Sequence, residues 1–272
     1  MASRWIEENQ ILTFVILSYG LSWLIALPMI LSYFGIISPD VPFLLHYLVP
    51  FGPLLAALLV TWIVEGPEGF RDLLTRMSKW RVKPFWVALT LLSVWGLYFI
   101  SGLFSLAIGQ PWPSLELFGD IMYMPYLTFI GAWFFWTITF GIGEETGWRG
   151  YLLQELQSKY SPLFSSLIVG IIWAGWHLPM FLYHENFIAM GPMGMVFWVI
   201  GLLFGSILLM WLYNNTGSSI LMTAIWHGTF NLFTGAAGEA SGMTSGIVSI
   251  FVIFWVLLLL IIRKEKDIFH PR

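Results

Sequence analysis

Apolar residues in this chain fall into eight long runs separated by short polar breaks: Ile11 to Phe34, Phe43 to Val64, Phe85 to Ile108, Met122 to Ile142, Leu163 to Tyr183, Met195 to Tyr213, Ser219 to Gly235, and Gly246 to Ile262. Crossing a hydrocarbon core of about 30 Å takes about 20 residues of helix, and in lipid only helices and closed barrels satisfy their own backbone. The runs are too long for barrel strands. The pattern therefore predicts an all-α integral membrane protein, a bundle of about eight transmembrane helices, with the seventh run short and polar. Ile11 to Phe34 follows Arg4, but it is too long for the apolar part of a signal peptide and lacks a small-x-small exit, so it reads as a retained first helix. Between the second and third runs, Glu65 to Val82 places Phe70, Leu73, Leu74 and Met77 at helical spacing among charges. That is the pattern of an interfacial amphipathic helix, here read as a surface connector.

Composition agrees with lipid as the main solvent. Hydrophobic residues make up 58% of the chain and charged residues 10%, with a mean hydropathy of +0.80; so few charges could not cover that apolar surface in water. No stretch is long and polar enough to be a linker, so residues 1–272 read as one domain. A net charge of -3 with scattered basic residues argues against nucleic acid as a partner. The lack of cysteine excludes disulfides, thiolate metal sites, a lipoprotein anchor and a prenylated tail. If the runs cross alternately, Arg71, Arg76, Lys79, Arg81 and Lys83 share a side with Arg4, Lys159 and the tail residues Arg263, Lys264, Lys266 and Arg272. The opposite loops carry Asp40, Glu116, Asp120, Glu185 and Glu239 and no Lys or Arg. The positive-inside rule then predicts a multi-pass protein of the cell membrane with both termini cytoplasmic. No internal repeat of the transporter kind is visible.

Charged residues inside apolar helices cost about 2.5–3.5 kcal/mol each on insertion scales, so they need a reason to be there. The segment GIGEETGWRGYLLQEL, Gly141 to Leu156, holds the densest group. Glu145 and Arg149 are one helical turn apart with the acid first, the order that favours an ion pair. Such a pair can be purely structural. Glu144 points about 100° away, without such a neighbour, and is the better catalytic candidate. His177 lies in IIWAGWHLPMF, and IWHGTFN brings His227 and Asn231 onto one helix face. Pro162 suits a helix start after a turn at Tyr160 and Ser161. Glu144 and His177 are then each about 25 Å of helix from that turn, at 1.5 Å per residue, so an antiparallel hairpin sets them side by side. The hairpin tip, with Gln154, Glu155, Gln157 and Lys159, projects into the cytoplasm, and the site should open to that side. Trp148, Trp173, Trp176 and Trp226 flank the site, as packing or as walls of a substrate groove. His46, His184 and His270 read as surface or interface polarity.

Two chemistries stay open on these residues. Glu144 could act as general base on a water that His177 orients, with His227 and Asn231 holding the oxyanion of an attacked carbonyl. Alternatively Glu144, His177 and His227 could hold one divalent metal such as zinc, with an open position for water. The soluble zinc-protease helix H-E-x-x-H and the G-x-S-x-G elbow are both absent.

The three segments resemble the motifs of the CPBP intramembrane proteases, the CAAX-protease and bacteriocin-processing family, also called the abortive-infection family, of which the Ras-converting enzymes are members. Glu144-Glu145-Arg149, Trp173-His177 and His227-Asn231 match in order, with Trp173 where the family usually has phenylalanine. The motif core runs from about residue 122 to 232. The resemblance implies peptide-bond hydrolysis within the membrane. Glu144 would activate water shared with His177, His227 and Asn231 would form the oxyanion site, and Glu145 and Arg149 would support them. Substrates would be prenylated CAAX-type proteins, losing a C-terminal tripeptide, or bacteriocin-like peptides. Members are described both as metalloproteases and as metal-independent glutamate proteases. The rival readings are a non-catalytic immunity or scaffold protein of the same fold and a proton-coupled transporter.

Overall fold

The computed structural model describes residues 2–38, 41–113, 127–241 and 243–262, and all regular structure among them is helical. Asp40, Glu116, Asp120, the start of the fourth run at Met122, and the tail with His270 lie outside the described residues.

A short helix α1, Ala2–Glu8, leads into α2, Gln10–Tyr33. A 3₁₀ turn, Phe43–Leu48, precedes α3, Phe51–Met77. Pro84 opens α4, Pro84–Ala107, where its missing N–H costs nothing. Helices Pro162–Trp176 (α6), Gly191–Asn215 (α7), Ile220–Ser241 (α8) and Met243–Ile262 (α9) follow a central helix described below. Among the described residues, five helical stretches are long and apolar enough to cross a membrane: Gln10–Tyr33, Phe43–Met77, Pro84–Ala107, Pro162–Leu182 and Gly191–Asn215. The protein is an all-α integral membrane protein. Broad apolar faces of α2 and α4 point outward, including Leu24, Leu92 and Phe99, as lipid-facing helices require.

The amphipathic helix predicted over Glu65 to Val82 forms as the distal part of α3, set off from the spanning part by non-helical backbone at Gly66, and it ends at Met77. Gly66 takes φ 68°, open to a residue without Cβ, and Pro67 follows it.

The central helix begins at Thr128, whose hydroxyl accepts from the Gly131 amide at 3.2 Å. Phe129–Trp136, a π turn Thr137–Ile142, an α turn Gly143–Gly147, a second π turn Trp148–Leu152 and Leu153–Gln157 form one continuous run, α5, residues 129–157. The acidic pair thus sits in a single α turn between two π turns, features that concentrate at functional sites. Ser161 then caps α6 over the Phe164 amide, with Pro162 in its first turn, where the sequence placed the hairpin. Helix α5 packs on α3 and α8, α2 on α3, and α6 on α7. Two glycines permit close approaches to α5: a Cβ on Gly147 would meet the Pro53 carbonyl of α3 at 2.8 Å, and one on Gly228 of α8 would meet the Thr137 Cα at 2.6 Å.

Candidate intramembrane site

Glu144, Glu145 and Arg149 are buried, Glu145 and Arg149 with no solvent exposure at all. Arg149 Nη1 donates to Glu145 Oε1 at 2.9 Å, so the predicted i, i+4 ion pair forms. The same oxygen lies 2.9 Å from His227 Nδ1 on α8. Glu145 therefore joins the first and third motifs, a contact across the bundle that spacing along one helix does not reveal. The Arg149 guanidinium also lies over the Trp173 ring, 4.6 Å from its centroid, which ties α6 to the same charge.

Across the hairpin, the side chain bonded to Glu144 is Trp173. Its indole N–H donates to Glu144 Oε2 at 2.6 Å. His177 stands one turn further on, as the C-terminal cap of α6, and its Nδ1 lies 2.8 Å from the Trp173 carbonyl. A carbonyl only accepts, so Nδ1 carries the proton and, in the neutral ring, Nε2 is left as an acceptor. Trp176, Trp198 and Phe187 surround the His177 ring with centroids at 4.7, 4.9 and 6.1 Å. Among the described residues Glu144 has no ion-pair partner.

Asn231 is half-buried, one turn beyond His227 on α8. The four candidate tryptophans are all buried. Trp148 and Trp176 pack edge to face at 6.0 Å, and Trp226 donates to the Ser93 hydroxyl at 3.0 Å and stacks on Phe230. Buried polar atoms without a partner among the described residues cluster here: Glu145 Oε2, Arg149 Nε and Nη2, and the indole nitrogens of Trp148 and Trp176. Each would be costly if it stayed unsatisfied, so this region holds hydrogen-bonding capacity for water or a bound group.

His177 and His227 each hold Nδ1 in an outer hydrogen bond, a pattern that metal-ligating imidazoles share. Yet among the described residues no three His, Cys, Asp or Glu side chains converge as a ligand group, so Glu144, His177 and His227 as placed do not fit a metal.

His46, read from sequence as interface polarity, is a buried residue. Its Nδ1 lies 2.8 Å from the Tyr183 hydroxyl, and its ring packs against His184 at 4.9 Å. The signal available in the sequence was its place inside the apolar stretch Phe43–Leu48, but the partners come from beyond the end of α6.

A polytopic helical membrane protein with a buried double-glutamate turn braced by arginine, tryptophan and histidine is defined by this geometry. Residues 125–233 match the sequence family described as Type II CAAX prenyl endopeptidase Rce1-like, a span that takes in every candidate site residue. CAAX prenyl protease 2 of Methanococcus maripaludis is 28% identical over 145 residues, covering 47% of this chain and 48% of that relative. The chain thus spans about half the length of the curated relative it matches. The motif-bearing core is thus similar to the Rce1-like endopeptidases over residues 125–233.

Proposed function

We propose that the chain is an intramembrane endopeptidase, working as one domain, that removes the C-terminal tripeptide from prenylated CAAX-type substrates at a site open to the cytoplasm. The observation that carries this reading is the division of labour between the two glutamates. Glu145 is spent on Arg149 and His227, whereas Glu144 is buried without a cation and is steered by a single indole donor. A carboxylate held in that way is suited to take a proton from water.

In the proposed reaction the water oxygen attacks the scissile carbonyl while its proton passes to Glu144. His177 Nε2 accepts the second water hydrogen and fixes the attack direction. The negative charge that forms on the carbonyl oxygen is met by His227 and Asn231. The bond between His227 Nδ1 and Glu145 leaves Nε2 as the ring nitrogen that faces the oxyanion. Collapse breaks the C–N bond, and Glu144 returns its proton to the leaving amine. The matching relative's name and the matched family's description both refer to prenylated CAAX ends, which supports the substrate class. The basic segment Arg71 to Lys83 supports a cytoplasmic orientation with both termini on that side, in the cell membrane.

Glu144→Gln tests the reading on a quenched, prenylated CAAX peptide with purified protein in detergent. The amide still accepts from Trp173 but cannot act as the base, so cleavage should fall at least about 100-fold with thermal stability retained. Full activity in Glu144→Gln, or no cleavage by the wild type of prenylated or unprenylated peptides, defeats the proposal. In the latter case the non-catalytic scaffold reading takes its place. Activity that is lost to a chelator and restored by zinc would return the mechanism to a metal.

A further inference from the structure

A second concentration of charge lies at one end of the bundle, away from the glutamates. The end of α3, the segment leading into α4 and the turn between α7 and α8 enclose a cavity of about 550 Å³. Asp72, Arg76, Lys79, Trp80, Arg81 and Ser218 are among its lining residues. Its charges do not balance. Arg76 neutralises Asp72 through a 2.7 Å bond from Nε, and it spends Nη1 on the Gly150 carbonyl and the Tyr213 hydroxyl, both at 2.7 Å. Lys79 Nζ donates to the Gly217 carbonyl at 2.6 Å, a neutral acceptor, and the Arg81 guanidinium lies over the Trp80 ring at 5.1 Å. Among the described residues neither Lys79 nor Arg81 has a carboxylate partner, so two positive charges face the cavity.

We propose that this cavity holds the phosphate of an anionic phospholipid headgroup. The cations call for an anion, and basic pockets at the ends of membrane helices are suited to lipid phosphates. The lipid source, as opposed to a soluble phosphate, is argued from Trp80. Trp80 is 65% exposed beside the cations, an apolar body of the kind that tryptophans present to lipid at bilayer interfaces. The cavity also sits along the segment that joins two helices long enough to cross a membrane, Phe43–Met77 and Pro84–Ala107. Arg76 carries the wall of the cavity to the Gly150 carbonyl within the second π turn of α5, so the headgroup site and the double-glutamate turn share one helix.

The test measures binding and stands apart from catalysis. Phosphatidylglycerol and phosphatidylcholine are titrated separately onto detergent-purified full-length protein, with bound lipid counted by native mass spectrometry. Wild type and Glu144→Gln should bind phosphatidylglycerol alike and more tightly than phosphatidylcholine. The double variant Lys79→Gln/Arg81→Gln should lose about fivefold in affinity per charge, about 25-fold for the pair. If the double variant fails to fold by size exclusion and near-ultraviolet circular dichroism, Arg81→Gln alone should still show the fivefold loss, because its side chain rests only on Trp80. Equal phosphatidylglycerol affinity in wild type and a folded variant overturns the proposal. So does phosphatidylcholine binding as tightly as phosphatidylglycerol, and so does full displacement of the lipid by equimolar inorganic phosphate, which marks a soluble-anion site.

Discussion

Replacing Arg149 by methionine removes one charge from the centre of the bundle while keeping most of the side-chain volume. Arg149 and Glu145 are fully buried, with nitrogen and oxygen 2.9 Å apart. At an effective dielectric of about 20, two unit charges at that separation attract by about 6 kcal/mol, most of which offsets the cost of taking both ions out of water. Removing the cation leaves the desolvation cost of Glu145 in place, and breaking such pairs costs about 3–5 kcal/mol. The hydrogen bond from His227 Nδ1 to the same oxygen relieves part of this. Loss of the guanidinium from the face of Trp173 works in the opposite direction, by as much as about 2 kcal/mol for a desolvated pair. The expected destabilisation is therefore about 4 kcal/mol, a large part of a typical total of about 5–15 kcal/mol. Equilibrium unfolding in mixed micelles of wild type, Arg149→Met, Glu145→Gln and the double variant gives the coupling directly. The double variant should recover at least half of the loss, because no unpaired charge is left behind. Arg149→Met within about 1 kcal/mol of wild type, or a coupling below about 0.5 kcal/mol, would refute the view that this ion pair anchors the site.

Trp173→Phe keeps an aromatic ring under Arg149 but removes the donor to Glu144 together with part of the buried indole volume, so stability should fall by at least about 1.5–3 kcal/mol, the range for a hydrogen bond to a charged group; an unchanged melting temperature would mean that the indole bond contributes nothing. Gly228→Ala places a methyl group 2.6 Å from the Thr137 Cα, and the strain of separating α8 from α5 should cost about 1–3 kcal/mol and lower cleavage together with stability. At the foot of α5, beyond the apolar spans, burial and then the charge of Glu65 raise the Glu155 carboxyl above its ordinary 4.5. The folded chain therefore holds this proton more tightly than the unfolded one, and the stabilisation is present below pH 4.5 and lost as pH rises through the raised folded value. Glu155→Gln should accordingly gain stability relative to wild type between pH 4.5 and 7, and a difference independent of pH in thermal melts would contradict the assignment.

Features that depend on one stretch of chain were legible in the sequence. Gln10–Tyr33 and Pro84–Ala107 fall within a residue of the apolar runs Ile11 to Phe34 and Phe85 to Ile108, because hydrophobicity and proline position set their ends. The Glu145–Arg149 pair follows from the helical repeat alone. What depends on the distance between helices was not legible. His227 finds Glu145 because glycines let α8 approach α5, and the α6 side chain that bonds Glu144 is Trp173, one turn before His177.

The two π turns of α5 have a consequence for how this helix can change over time. A π turn holds one residue more than the α-helical repeat requires, so deleting a residue from Thr137–Ile142 or Trp148–Leu152 can convert that turn to α-helix without breaking the chain. Everything on one side of the deletion then rotates by about 100° relative to the other. A loss at the first turn would swing Glu144 and Glu145 away from Trp173 and His227 while leaving Phe129–Trp136 in place; a loss at the second would keep the glutamates and turn Leu153–Gln157 instead. The helix behaves as three phased segments joined by two length-tolerant couplings, and single-residue deletions in this region are the changes that could silence the site without unfolding the bundle.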